Sequence, residues 1–186
     1  MEYSRAPNEL PHFSTVFQTA TPPVIQKTHR LFIDNRDRNE GTPFDFKVKF
    51  GSATPPTVSN SITPYENIQS MELRGVAFPK IANEPYVILS IEELNDDMLD
   101  STCSAAHRAY AIIYFDTDAL APGAIKPLKG VDFYQKLIKF KPPISRLNRL
   151  SIKFLKYDGT VVSLSDTANV ASATLMFEVT TGTRCN

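Results

Sequence analysis

One seven-residue run, Phe44-Asp-Phe-Lys-Val-Lys-Phe50, alternates without a break between apolar and charged side chains. Phe44, Phe46, Val48 and Phe50 fall on one face of an extended chain and Asp45, Lys47 and Lys49 on the other, the period-two pattern of a half-buried antiparallel strand. A helix would scatter these side chains around its circumference, so the run commits this region to a sheet with one dry face. Just before it, Leu31-Phe-Ile-Asp-Asn-Arg-Asp-Arg-Asn39 passes from a short apolar strand into a corner rich in side chains that hydrogen-bond local backbone.

Strand signals continue along the chain. Met71 and Leu73 share a face opposite Glu72 and Arg74, whereas Val76 and Phe78 have the other parity; Gly75 stands at the switch and predicts a β-bulge there. Residues 86–91 and 110–115 are nearly continuous apolar runs, as expected of strands buried on both faces. Residues 92–100 between them form a short helix or an acidic loop. Strands over 133–140 and 150–157 follow, then an Asp158-Gly159 hairpin turn with residues 160–164 as its return arm. Leu175, Phe177 and Val179 close the pattern.

That makes eight main strands, one extra hairpin arm and no long helix. The expected fold is all-β, a single eight-stranded antiparallel jelly-roll sandwich with an extended N-terminal arm. An immunoglobulin-like sandwich is the runner-up, weakened by the absence of Trp and of a cysteine pair at inter-sheet spacing. No internal repeat is visible, which excludes a double jelly roll. A length of 186 residues suits one domain, assigned to residues 29–186. Residues 1–28 form the arm: Pro7, Pro11, Pro22 and Pro23 interrupt any period, while Phe13, Val16, Phe17, Val24 and Ile25 supply apolar anchors. Docking on a partner and a disordered tail are equally compatible with that composition.

The corner and strands also carry a family resemblance. Ile33-Asp-Asn-Arg-Asp-Arg-Asn39 followed by Pro43 and Phe46-Lys-Val-Lys-Phe50, then Ile68-Gln-Ser-Met-Glu-Leu-Arg-Gly-Val-Ala-Phe-Pro79, then Ile144-Ser-Arg-Leu-Asn-Arg-Leu-Ser-Ile-Lys-Phe-Leu-Lys-Tyr-Asp-Gly159, resembles in order the penton and minor capsid proteins of large icosahedral double-stranded DNA viruses, nearest the chlorella-virus type. The resemblance covers scattered blocks between residues 29 and 180. It implies a structural virion protein, most simply the penton, forming homopentamers at the fivefold vertices beside major and minor capsid proteins. The alternative within the family is a cement protein beneath the major capsomers. The implied location is the virion, after synthesis in the host cytoplasm.

Charge fits assembly. Twenty basic and twenty acidic residues cancel, so nothing drives the whole chain toward nucleic acid or an acidic membrane, and copies do not repel one another strongly. Cys103 and Cys185, with no metal-ligand spacing around them, are expected as reduced thiols. No signal peptide or membrane-length apolar run is seen, so neither secretion by the ordinary route nor membrane insertion is expected.

No enzymatic motif stands out. His12, His29 and His107 lie in unrelated contexts, and no Ser or Cys has a nucleophile motif around it, so neither catalysis nor a cofactor is expected. The acidic residues Glu92, Glu93, Asp96, Asp97 and Asp100, like Asp116 and Asp118, lack the glycine and ligand spacing of a calcium loop and are assigned to a solvated surface rather than a metal site. Asp34, Arg36, Asp37 and Arg38 form a structural corner whose arginines, Arg36 and Arg38, are candidates to reach a neighbouring subunit. Between residues 136 and 156 seven basic side chains, Lys136, Lys139, Lys141, Arg146, Arg149, Lys153 and Lys156, occur with no acid. Their candidate partner is the acidic 92–100 segment of an adjacent copy, with a solvated face as the plain alternative; DNA contact is less favoured because stacking aromatics are not interleaved. The candidate interface residues are therefore Arg36, Arg38, Glu92, Glu93, Asp96, Asp97, Lys139, Lys141, Arg146 and Arg149. A function of another class, carbohydrate attachment, would use Tyr65, Tyr86 or Tyr134 as a sugar platform.

Overall fold

The computed structural model describes residues 24–51, 65–94, 100–115, 121–129, 133–134 and 137–184. They form eleven strands: β1 (Val24–Asp34), β2 (Glu40–Thr42), β3 (Asp45–Lys49), β4 (Tyr65–Pro79), β5 (Tyr86–Ile91), β6 (Ala111–Tyr114), β7 (Ile125–Lys129), β8 (Phe133–Tyr134), β9 (Leu137–Leu147), β10 (Arg149–Leu155) and β11 (Thr174–Arg184). The helical pieces among the described residues are 3₁₀ turns at Asn35–Asp37, Glu92–Leu94 and Ser104–Arg108.

The strands lie in two antiparallel sheets. The first has the order β1-β11-β4-β7, with β9 also paired to β4; the second has the order β2-β3-β10-β5-β6-β8. Without β2, β7 and β8, eight strands remain, ordered β1-β11-β4-β9 and β3-β10-β5-β6. Among these eight, every chain connection except β5 to β6 passes from one sheet to the other. That winding is the jelly roll the sequence predicts, and it places strands distant in sequence side by side.

The core forms where the two inner faces meet. Phe44, Phe46, Val48 and Phe50 are all buried, as the alternation requires. Phe78 of β4 lies 4.5 Å, centroid to centroid, from Phe154 of β10, and Phe44 lies 5.2 Å from Phe78, so aromatic rings bridge the sheets. Each such ring contributes on the order of 1.5–3 kcal/mol by leaving water. Tyr110 is buried beside Phe177 and donates its hydroxyl to the Met71 carbonyl at 3.4 Å, which satisfies its one polar atom; burial pushes its ionisation far upward.

Gly75 does sit at a bulge. The β4–β11 register runs Gly75 to Met176 and then Leu73 to Phe177, leaving Arg74 as the extra residue. A second shift at Gln69 lies between the partners Ile68 and Ser70 and aligns Ile68 with Met71 on the buried side. Three expectations need correction. The strand expected over 133–140 is split: β8 is a two-residue piece of the second sheet, and β9 instead runs on through Pro142 and Pro143 to Leu147. Those prolines are tolerated because β9 is an edge strand whose register jumps there, from Lys139 opposite Ser70 to Ile144 opposite Ile68. Residues 160–164 make no return strand but a single bridge, Leu155 to Val161, although the Asp158-Gly159 turn itself forms, with Gly159 at φ +82°. Finally, β1 begins at Val24, so residues 24–28, allotted to the arm, pair with β11.

Candidate interaction surfaces

At the Asp34–Asn39 corner, charge is spent on local geometry. The Asp34 carboxylate accepts the Arg36 backbone N–H at 2.9 Å and the Arg36 guanidinium, which holds the carboxyl below its ordinary range. Arg38 donates to the carbonyls of Asn35 at 3.0 Å and Gly41 at 3.1 Å. The organising residue is one the sequence did not single out: Asn35 is fully buried, donates its amide to the Pro43 and Ala171 carbonyls and accepts the Ala173 N–H at 3.1 Å. It thereby ties the end of β1, the turn into β3 and the approach to β11. Asn39 adds an acceptor for the Lys49 N–H at 2.8 Å. Two asparagines flanking an Arg-Asp-Arg turn are the signal that could have found them. Of the candidate pair, Arg36 keeps most of its side chain in solvent, while Arg38 is occupied by the loop.

The acidic and basic candidates meet only in part. Glu93 accepts the Ser151 N–H at 2.6 Å, its hydroxyl at 2.8 Å and Arg149 Nε at 3.1 Å, all within one chain. Glu92 is exposed beside them, in an open cleft of about 560 Å³ with Ser90, His107, Arg108, Ser151 and Lys153 on the outside of the second sheet. Asp96 and Asp97 lie outside the described residues. Lys139, Lys141 and Arg146 are exposed on β9, in the other sheet. The basic stripe is thus divided by the β9–β10 crossover, a separation that linear spacing does not reveal.

The tyrosines proposed as a sugar platform divide similarly. Tyr65 packs edge-on against Phe50 at 5.8 Å and His29 at 5.5 Å, as part of the core margin. Tyr86 stands beside Tyr114 at 6.2 Å on the outside of the second sheet, its hydroxyl pushed up chiefly by burial. The Tyr134 side chain, Cys185, Asp116 and Asp118 lie outside the described residues. Cys103 is a buried free thiol 3.3 Å from the Tyr157 carbonyl. Among the described residues no three His, Cys, Asp or Glu side chains converge to hold a metal, and no helix is long and apolar enough to cross a membrane.

A further surface was not foreseen. On the outside of the first sheet Phe32 is 65% exposed, and its partner across the strands, Met176, is 40% exposed; Gly75 follows in the same row. The next row pairs Arg30 with Glu178 and Glu178 with Glu72, and Arg74 bridges both glutamates at 3.0 Å. The outer face here is thus apolar at Phe32 and Met176 and bordered by a charged network. No protein-family model matches this chain, and no curated protein matches it either.

Proposed function

We propose that this chain is a structural capsid protein of a large icosahedral DNA virus, the penton subunit that forms homopentamers at the fivefold vertices and contacts neighbouring major and minor capsid proteins. The observation that carries the proposal is the single jelly-roll winding of β1-β11-β4-β9 over β3-β10-β5-β6, joined to the corner and strand motifs that resemble penton and minor capsid proteins. In a ring each subunit offers one flank to the next and receives a different one, so two distinct surfaces are needed. The Phe32–Met176 strip and the basic β9 strand lie toward opposite edges of the first sheet and offer two such surfaces.

Native mass measurement on the purified protein tests this. A penton gives a species near five times 20.8 kDa, about 104 kDa, without larger intermediates. A chain that stays monomeric at high concentration, and is located beneath the capsomers in images of the particle, is a cement protein instead.

A further inference from the structure

β1 is an edge strand along its full length. Its 11 residues pair with β11 without a register shift, and among the described residues no strand lies on its other side. Alternate N–H and C=O groups of β1 therefore point away from the sheet, a template for one more strand. The usual guards against such pairing are sparse: β1 contains no proline and no bulge. Its one guard is charge. Lys27 and Arg30 stand on it, and the only acid, Asp34, is held by Arg36. Two β1 edges brought together would oppose like charges, so self-pairing of this edge is disfavoured.

An uncharged partner segment fits better, and the sequence contains a candidate. Residues 12–20, His12-Phe-Ser-Thr-Val-Phe-Gln-Thr-Ala20, form the one long stretch of the arm free of both proline and charged Asp, Glu, Lys or Arg. It is rich in aromatic and β-branched residues and lies between Pro11 and Pro22. Nine extended residues span about 30 Å, against about 36 Å for the 11 of β1. Thr21-Pro22-Pro23 joins this stretch to β1. Two-residue hairpin turns need positive φ at their first or both central positions, and three-residue loops end on a left-handed residue; proline, fixed near −65°, meets neither requirement. The short turns that would fold the stretch back on its own β1 are closed to it.

We propose that residues 12–20 of one copy add as a strand to the free edge of β1 of the next copy. This deepens the ring reading above, and rests on it for the identity of the partner. The added strand would continue the outer row that Met176 and Phe32 begin, covering the 65%-exposed ring of Phe32.

The test compares the full-length protein with Val16→Pro, which removes a backbone donor from the middle of the stretch, at a position outside the described residues. Native mass is read together with hydrogen exchange at β1, with urea midpoints of the monomers confirming an unchanged fold. In the wild type, the outward amides of β1 exchange at least ~10-fold more slowly at assembling concentration than on dilution to monomer. Val16→Pro loses both the protection and the oligomer, and a synthetic peptide of residues 8–21 restores the protection to it. A wild-type oligomer whose outward β1 amides stay unprotected, or a Val16→Pro oligomer that keeps both its mass and its β1 protection, overturns strand addition and leaves the ring standing. A wild type that assembles to a mass other than the pentamer, with β1 protected and with Val16→Pro losing both, removes the ring and leaves strand addition between copies; one that is monomeric at every concentration removes both. Protection in the monomer independent of concentration places the stretch on its own β1 and overturns exchange between copies.

Discussion

The two sheets have similar inner faces and opposite treatment outside. On the second sheet, Ile88 and Ile112 point outward from β5 and β6, and the Cys103–Ala109 segment folds over them, with Ala106 and Ala109 buried beside Ile88. On the first sheet, Phe32 and Met176 point outward equally and the described residues lay nothing over them. Outward apolar side chains thus meet two fates in one molecule. Where the chain supplies its own cover they become a second small core; where it does not, they form a surface suited to another molecule.

Removing a covered residue should hurt most. Ile88→Ala is expected to destabilise the isolated chain by roughly 2–5 kcal/mol, the cost of a cavity under the Cys103–Ala109 cover, read as a shift in urea unfolding. A change below about 0.5 kcal/mol would mean that this segment does not act as a lid on the sheet.

Asp34 sharpens the comparison, because it shares the parity of Phe32 yet is only 6% exposed. The Arg36 hydrogen bonds hold its carboxyl below the ordinary value of 3.8, so its folded pKa is the depressed one. The corresponding stability is present above the unfolded value and lost as pH falls through the folded value. Urea midpoints of the wild type should decline below about pH 4 more steeply than those of Asp34→Asn, whose side chain has no such proton to gain. Glu40, Asp158 and Asp166 are also held below their ordinary values and contribute to the decline in both proteins, so the difference between the two curves is the quantity to read. Parallel curves would show that the Asp34–Arg36 pair adds nothing to the corner.

The smallest effect is expected on the open face. Phe32→Ala should change the stability of the isolated monomer by less than about 0.5 kcal/mol while weakening the oligomer in native mass measurements. A loss of 2 kcal/mol or more in dilute solution would show that this face is already closed within one chain.

Much of the fold could be read along the chain because its signals were local. The strand around Phe44–Phe50 needs only two-residue alternation, the bulge beside Gly75 only a change of parity, and the turn at Gly159 only an Asp-Gly pair. Residues 86–91 were expected to be buried on both faces, and Val87, Ile88 and Leu89 are. The misses have long-range causes. Pro142 and Pro143 argue against a strand until β9 is seen at an edge opposite the Gln69 bulge. Among the candidate surface residues, Glu93 and Arg149, assigned to partners in different copies, meet inside one chain because β5 and β10 are neighbours in the sheet. Asn35 carries no periodic signal at all; its role comes from carbonyls 8 and 136 residues away.

By itself the sequence determined which segments are extended, which side of most of them is dry and where several turns fall, since each depends on neighbours a few residues apart and on the steric preferences of glycine, proline and β-branched side chains. Only the tertiary structure decided that, among the described residues, β1 has no neighbour on one edge, that one outer face is covered and the other open, and that the basic stripe belongs to two sheets. Those properties arise from pairings such as Leu31 with Phe177 and Val48 with Leu150, set when the jelly roll closes across more than a hundred residues.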